Sequence, residues 1–290
     1  VWARGTSFAD SPLGYTADRW LAHRGGGVAG ATFVQSTDVP AGFYYSMIMQ
    51  RQNGNASTAS LNMYYSAETR SSYRFRGTTA TLSFWVKAGA NYSGGAGANV
   101  ALYYGTGTDQ RVYAFTGSTS ICGLTVTPTT TWTRYSVSGS VPASATQLGI
   151  IVNWSPTGTA GAADTVLITG VQVEDGATVS DFGTVPFEAE KQRCLRYYRQ
   201  TQPSLLGEPS MYGISTVIGQ PFIMSINHPV PMRVAPTLTT AGTFNLGAVG
   251  TPTITSESID SYRFQVTTTV TGQWFVNPNF SAILKFDAEI

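Results

Sequence analysis

The chain has 290 residues, with 17 basic and 16 acidic side chains, a net charge of +1 and 11% charged residues, against about 25% in an ordinary globular protein. Near-neutrality removes the long-range attraction that would bring in nucleic acid or an anionic membrane, and low charge with plentiful aromatics is not the composition of a disordered chain. No apolar run approaches the ~18 residues of a membrane span, and the length predicts two domains.

The chain opens VWARGTSFAD, with neither an initiator Met nor a signal peptide, and reads as a fragment or a processed chain. RGGGVAG (24–30) lacks the G-K-[ST] of a phosphate-binding loop, so a flexible hairpin loop is expected there. From Thr81 onward the pattern is that of strands. TLSFWVK (81–87) alternates with a period of two, placing Leu82, Phe84 and Val86 on one face and Ser83, Trp85 and Lys87 on the other. Val100–Tyr104, Arg111–Phe115, Thr131–Val137 and Leu148–Trp154 follow suit, the last with Leu148, Ile150, Val152 and Trp154 on a shared face. Thr165–Val173 is rich in β-branched residues, and Gly170 within it marks a bulge. Turn-forming clusters at 91–99, 105–109 and 155–164 separate these runs. Many short strands at such spacing predict an all-β fold, an antiparallel sandwich or jelly roll over residues 1–185.

FEAEKQRCLRYYRQ (187–200) breaks the pattern. Pro186 suits a helix's first turn, and Glu188 and Glu190 precede Arg193, Arg196 and Arg199 in the order the helix dipole favours. A short linking helix is predicted over 186–202, with Phe187, Leu195 and Tyr198 packed on one face as interdomain or subunit contacts. Strands resume at Gly213–Val217, Pro221–Asn227, Thr251–Thr255, Tyr262–Thr269 and Phe280–Ile290, giving a smaller antiparallel β domain over 203–290. PVPMRVAP (229–236) must be a loop or an edge, because Pro cannot sit in a central strand.

Candidate chemistry is sparse. Two histidines, His23 and His228, cannot make a His-rich metal site within one chain, and neither lies in a nucleophile context. Glu174 and Asp175 are adjacent, so they point to opposite faces and make a poor glycosidase pair; VEDG reads as a strand-end turn. Cys122 and Cys194 are expected as buried free thiols, with one long-range disulfide as the alternative. The N-x-[ST] sequons at Asn55, Asn91, Asn153 and Asn279 are what chance supplies in a Ser/Thr-rich chain. What remains is a surface of Tyr, Trp, Asn, Ser and Thr. Aromatic rings stack on the C–H faces of sugars, and amides and hydroxyls bond sugar hydroxyls. Trp85, Tyr92, Tyr103 and Tyr113 are the glycan-binding candidates.

Five stretches, RGTSFADSPLGYTADRW (4–20), TLSFWVKA (81–88), TWTRYSVSGSVP (131–142), GVQVEDGATVSDF (170–182) and PFEAEKQRCLRYYRQ (186–200), follow one another as in bacteriophage tail-fibre and related virion-fibre proteins. HPVPMRVAPT (228–237) and the ending KFDAEI (285–290) extend the resemblance through both halves. The Gly-rich 91–99 stretch departs from it by being longer. The resemblance implies a jelly roll similar to carbohydrate-binding modules in a homotrimeric, non-enzymatic virion protein. Such a protein would contact other virion proteins and host cell-surface polysaccharide, with no nucleic-acid partner and no membrane insertion. A structural head fibre, decoration or adaptor protein is the alternative. A capsule depolymerase is disfavoured by the scarce histidines, the lack of an assignable acidic pair and the lack of a long parallel repeat. No cofactor is expected. Jelly rolls of this kind often hold a structural Ca²⁺, for which Asp10, Asp18, Asp175 and Asp181 are conceivable ligands that spacing does not select.

Overall fold

A computed structural model describes residues 4–9, 14–27, 29–201, 210–256, 258–277 and 282–289. The chain divides into two compact units, the first running to Thr184 and the second from Val185 to Glu289.

The N-terminal unit is a sandwich of two six-stranded antiparallel sheets. Its strands are β1 (Ser7–Ala9), β2 (Gly14–Tyr15), β3 (Trp20–Arg24), β4 (Ala31–Ser36), β5 (Ser46–Arg51), β6 (Leu61–Ser66), β7 (Thr79–Ala88), β8 (Gly94–Gly105), β9 (Thr119–Val126), β10 (Thr133–Ser140), β11 (Gln147–Pro156) and β12 (Thr165–Asp175). One sheet has the order β1-β4-β5-β12-β7-β10 and the other β2-β3-β6-β11-β8-β9, so the chain keeps crossing between layers, as a jelly roll requires. The period-two reading of β7 and β11 is met. Leu82, Phe84 and Val86 of one sheet and Leu148, Ile150, Val152 and Trp154 of the other lie in one buried cluster. On the outer side of the first sheet, the chain after β12 lies back across β7 and β10. Thr81 Oγ1 donates to Gly176 O at 2.6 Å and Arg134 Nη2 to Ser180 O at 2.6 Å.

Three local expectations change. RGGGVAG is not a hairpin: it carries the chain from β3 in one sheet to β4 in the other. Arg111–Phe115 is a 3₁₀ turn (Val112–Ala114) rather than a strand. Its Val112 is fully buried over Gly149, where a Cβ would come within 2.5 Å of Val112 Cγ2, so a tertiary slot overrides the alternating pattern. The Gly-rich 91–99 cluster is only partly loop, since β8 starts at Gly94 and pairs with β11, with a register shift between Ala98 and Gly94. The bulge at Gly170 is present: the β12–β7 register shifts between Thr169 and Gln172, and Gly170 has φ 58°.

One end of the sandwich is organised by Arg51, whose side chain is fully buried. Its Nη1 donates to Asp164 Oδ2 (2.8 Å), Ser93 Oγ (3.0 Å) and Thr157 O (3.3 Å). Its Nη2 reaches Asn55 O (2.6 Å), Gly158 O (2.7 Å) and Ser57 O (2.9 Å). Buried Arg24 adds bonds to Asn55 Oδ1 (3.1 Å), Ser57 O (3.3 Å) and Ala29 O (3.0 Å). A buried guanidinium offsets its desolvation only with a partner charge and acceptors for its N–H groups; the cage supplies the Asp164 charge and acceptors for both terminal nitrogens of Arg51, while its Nε finds none.

The C-terminal unit opens with a helix, Phe187–Leu195. It is shorter than predicted and lies within this unit. Glu188 and Glu190 occupy its first turn and Arg193 its last. It carries no buried stripe: Phe187 is 65% exposed, Leu195 is half-buried, and among the helical side chains only Cys194 is buried. Tyr198 is buried, but in a strand, because the chain leaves the helix at Arg196 and the helical spacing no longer applies. Strands β13 (Tyr198–Gln200), β14 (Met211–Ser215), β15 (Pro221–Asn227), β16 (Thr237–Ala241), β17 (Asn245–Gly247), β18 (Thr253–Ser256), β19 (Ser261–Thr267), β20 (Gly272–Asn277) and β21 (Ile283–Asp287) form three antiparallel sheets, β13-β21-β16, β14-β20-β17 and β15-β19-β18. Residues 229–236 are irregular, as the prolines require. One small core gathers Met232, Tyr262, Leu284 and Phe286, and a second Phe264, Val266, Trp274 and Val276. Buried His228 lies against the Tyr262 and Phe286 rings, with Arg199 Nη1 at 3.4 Å from its Nδ1.

Replacing Arg51 with Ala removes the counter-charge of Asp164 and the donors to the carbonyls of two loops, and is expected to cost about 3–5 kcal/mol, read as a lowered denaturation midpoint of the N-terminal unit. A second expectation concerns acid. Burial, and then the charge of Arg199, hold His228 below its ordinary value of 6.5, with Asp260 opposing. A depressed imidazole favours the fold while neutral, so its contribution is complete above 6.5 and is lost as pH falls through that value toward the folded-state one. The melting temperature of the C-terminal unit should therefore fall across this window, and His228→Phe should flatten the dependence.

Candidate functional site

The second sheet has its core-facing residues at Ala22, Leu61, Met63, Ile150, Val152, Val100 and Leu102. Strand alternation therefore turns the residues between them outward. The pairing registers line these up in rows. His23 is opposite Asn62, Asn62 opposite Asn153, Asn153 opposite Asn99, and Asn99 opposite Thr125. This row crosses five strands. Asn153 Nδ2 donates to Asn62 Oδ1 (2.6 Å), Asn62 Nδ2 to Ser60 Oγ (3.0 Å), and Asn99 Nδ2 to Thr125 Oγ1 (3.0 Å). The amides are held by one another, leaving the carbonyl oxygens of Asn153 and Asn99 without a hydrogen-bond donor among the described residues.

The adjacent row is apolar, with Leu21, Tyr64, Ile151, Ala101 and Gly123 in register. The next places Ser66, Gly149, Tyr103 and Ser120 side by side. Tyr64 joins the two kinds of surface. Its ring centroid is 6.1 Å from that of His23 and 5.3 Å from that of Tyr113. Tyr113 is 43% exposed on the 3₁₀ turn, and its hydroxyl accepts a bond from Arg111 Nη1 at 2.9 Å. Burial, and then neighbouring Tyr113, push the Tyr64 phenol above its usual range, and burial lowers the His23 imidazole. Both are uncharged at neutral pH, and the three rows contain no carboxylate, ammonium or guanidinium. The rows therefore offer neutral donors and acceptors beside aromatic and aliphatic surface, with the Arg111 guanidinium next to them at Tyr113.

Of the four aromatic candidates, Tyr103 and Tyr113 belong to this face. Trp85 lies on the outer side of the other sheet, half-buried, with Phe43 between it and Phe182 at centroid distances of 6.5 Å and 5.0 Å. Tyr92 closes the core instead. Its ring lies 5.6 Å from Trp154, and burial, then Asp164, push its hydroxyl up to about 12. The conceivable metal ligands are not brought together. Asp10 lies outside the described residues, buried Asp18 faces Arg4 at 3.6 Å, and Asp175 and Asp181 are exposed. No cluster of three or more His, Cys, Asp or Glu that could hold a metal ion occurs among the described residues. The VEDG turn is seen, with Glu174 bonded to Ser180. Cys122 and Cys194 are both buried thiols outside any disulfide. No helix among the described residues is long and apolar enough to cross a membrane.

Sequence reading missed His23, Asn62, Tyr64, Asn99 and Asn153. A signal existed: each Asn sits inside a strand between two core-facing apolar residues (LNM, ANV, VNW), where Asn is disfavoured. Their assembly into one row depends on register, which no single strand carries.

No protein-family model matches the chain, and no curated protein matches it. Among solved structures, it is similar to the enzymatically active domain of tailspike protein 4 of bacteriophage CBA120, at 17% identity and a TM-score of 0.38, over 55% of this chain and 19% of that one. A second similar structure is the CBM22-1 xylan-binding domain of Paenibacillus barcinonensis Xyn10C, at 13% identity and a TM-score of 0.36, over 62% of this chain and 99% of that one. A third is the C-terminal family 22 carbohydrate-binding module of Clostridium thermocellum Xyn10B, at 20% identity and a TM-score of 0.33, over 63% of this chain and 99% of that one.

Proposed function

We propose that the N-terminal unit binds a neutral glycan on the outer face of its second sheet, and that the chain is a segment of a bacteriophage virion fibre that holds host-surface polysaccharide. The observation that carries the glycan reading is the row His23–Asn62–Asn153–Asn99–Thr125 beside Tyr64 and Tyr113. Polar groups already fixed by one another lose little entropy when a sugar hydroxyl arrives, and a neighbouring ring takes the sugar's apolar side. The fibre assignment, the virion location and a homotrimer come from the motif series in the sequence. In a trimer, weak binding at each copy would be multiplied by effective concentration. The C-terminal unit exposes Tyr212, Ile214, Ile218 and Ile223, which favours an assembly role for it. No acidic pair lies in the three rows, which supports binding without hydrolysis.

The test is titration of the full chain with bacterial surface polysaccharides and neutral oligosaccharides. Asn153→Ala and Tyr64→Ala should each weaken binding by about tenfold, the scale of one lost polar or ring contact, with no new reducing ends released. Binding untouched by both changes would remove this face from the reading. Sedimentation of the same sample as a monomer would sink the trimer, and antibody labelling that finds the protein off the particle would sink the virion location.

A further inference from the structure

A second feature of the N-terminal unit lies away from the amide row, at the mouth between the sheets. The ladder from β12 to β5 ends at the Ile168–Met47 pair. Beyond it the bulge at Gly170 shifts β12 along β7, and the chain before β5 diverges. Gly170 is needed here. Its φ is 58°, and a Cβ would come within 2.7 Å of Phe43 and 2.9 Å of Trp85. The fork leaves a cavity of about 170 Å³, lined chiefly by Trp20, Met47, Met63, Ile168 and Val171, with Tyr45 at the rim.

The lining states what can enter. None of its side chains carries a carboxylate, ammonium or guanidinium, so a charged group would lose its hydration without return. The Thr169 and Ser46 hydroxyls already donate, Thr169 Oγ1 to Tyr45 O at 2.8 Å and Ser46 Oγ to Asp38 O at 2.7 Å, so what these two still offer is acceptor lone pairs. The volume matches that of a single ring, since an apolar cavity of about 150 Å³ suffices to hold benzene. The two thioethers and the indole favour an aromatic ring over an aliphatic one, through sulfur–ring and ring–ring contacts.

We propose that this cavity is a second binding site, for a small uncharged aromatic molecule of phenol size that enters ring first and donates its hydroxyl at the Thr169 rim. Bulges gather beside functional sites, where they re-aim or interrupt a strand, and here the bulge creates the opening.

The test uses the full chain with ¹³C-methyl methionine and titrates phenol, cyclohexanol and benzoate. Phenol should shift the Met47 and Met63 methyl signals saturably and raise the melting temperature, with benzoate about tenfold weaker or worse. Ala17→Leu, at the cavity wall, should weaken phenol binding by a similar factor; Val171→Phe should do the same and guards against misfolding of the first variant. Asn153→Ala and Tyr64→Ala should leave the phenol response intact, which separates this site from the glycan face. No saturable shift at either methionine would overturn the proposal. So would equal binding of benzoate, cyclohexanol binding as tight as phenol, or a response unchanged in both filled variants.

Discussion

The buried guanidinium of Arg51 is the interaction on which the N-terminal unit most depends. Three connections, 52–60, 89–93 and 157–164, converge on it through main-chain carbonyls, Ser93 and Asp164. These connections deliver the chain into β6, β8 and β12 and receive it from β11. Asn62, Asn99 and Asn153 lie on β6, β8 and β11, so the cage that closes the end of the sandwich also stands next to the strands that carry the amide row. A single point of positive charge with oxygens around it is a compact way to fix irregular loops, because each carbonyl it donates to is a backbone group that burial would otherwise leave unsatisfied.

The two outer faces of the sandwich have opposite fates. The first sheet is crossed by the chain after β12, and its Trp85 is drawn into a small aromatic cluster with Phe43 and Phe182. The second sheet keeps rows of amides, aliphatics and tyrosines along its outer face. Low charge, which the composition announces, is realised locally as three rows whose ionisable groups are neutral, with the Arg111 guanidinium beside them on the Tyr113 hydroxyl: burial keeps Tyr64 protonated and His23 unprotonated. Such a surface has little hydration to lose on meeting a neutral, hydroxyl-rich partner, whereas a charged surface would have to be stripped of tightly held water.

The C-terminal unit is built on a different scale. Among the described residues its three sheets have three strands each, and its apolar residues divide into two small cores rather than one large one. With less apolar surface to bury, single polar groups matter more. His228 is held neutral between aromatic rings, beside the permanent charge of Arg199. Ile214 and Ile223 point outward from edge strands of separate sheets, leaving apolar surface that the unit itself does not cover.

Much of this was readable in the chain. Period-two alternation locates β7 and β11 because side-chain direction in a strand is a local property, and β-branched content locates β12. The bulge at Gly170 and the irregular 229–236 segment followed from the conformations open to glycine and proline, and the charge order after Pro186 marked a helix. The failures share a cause. The spacing places Phe187 and Tyr198 on a common helical face, but the helix stops at Leu195 and the strand that follows is held by β21. Arg111–Phe115 alternates like a strand and yet is a turn, because the space above Gly149 takes Val112. Local chemistry thus determined the fold class and most strand faces by itself. Which strands are neighbours, and in what register, was decided only in the tertiary structure, because hydrogen-bonded ladders join residues dozens of positions apart. The amide row and the cavity at the Gly170 fork both exist by virtue of that pairing.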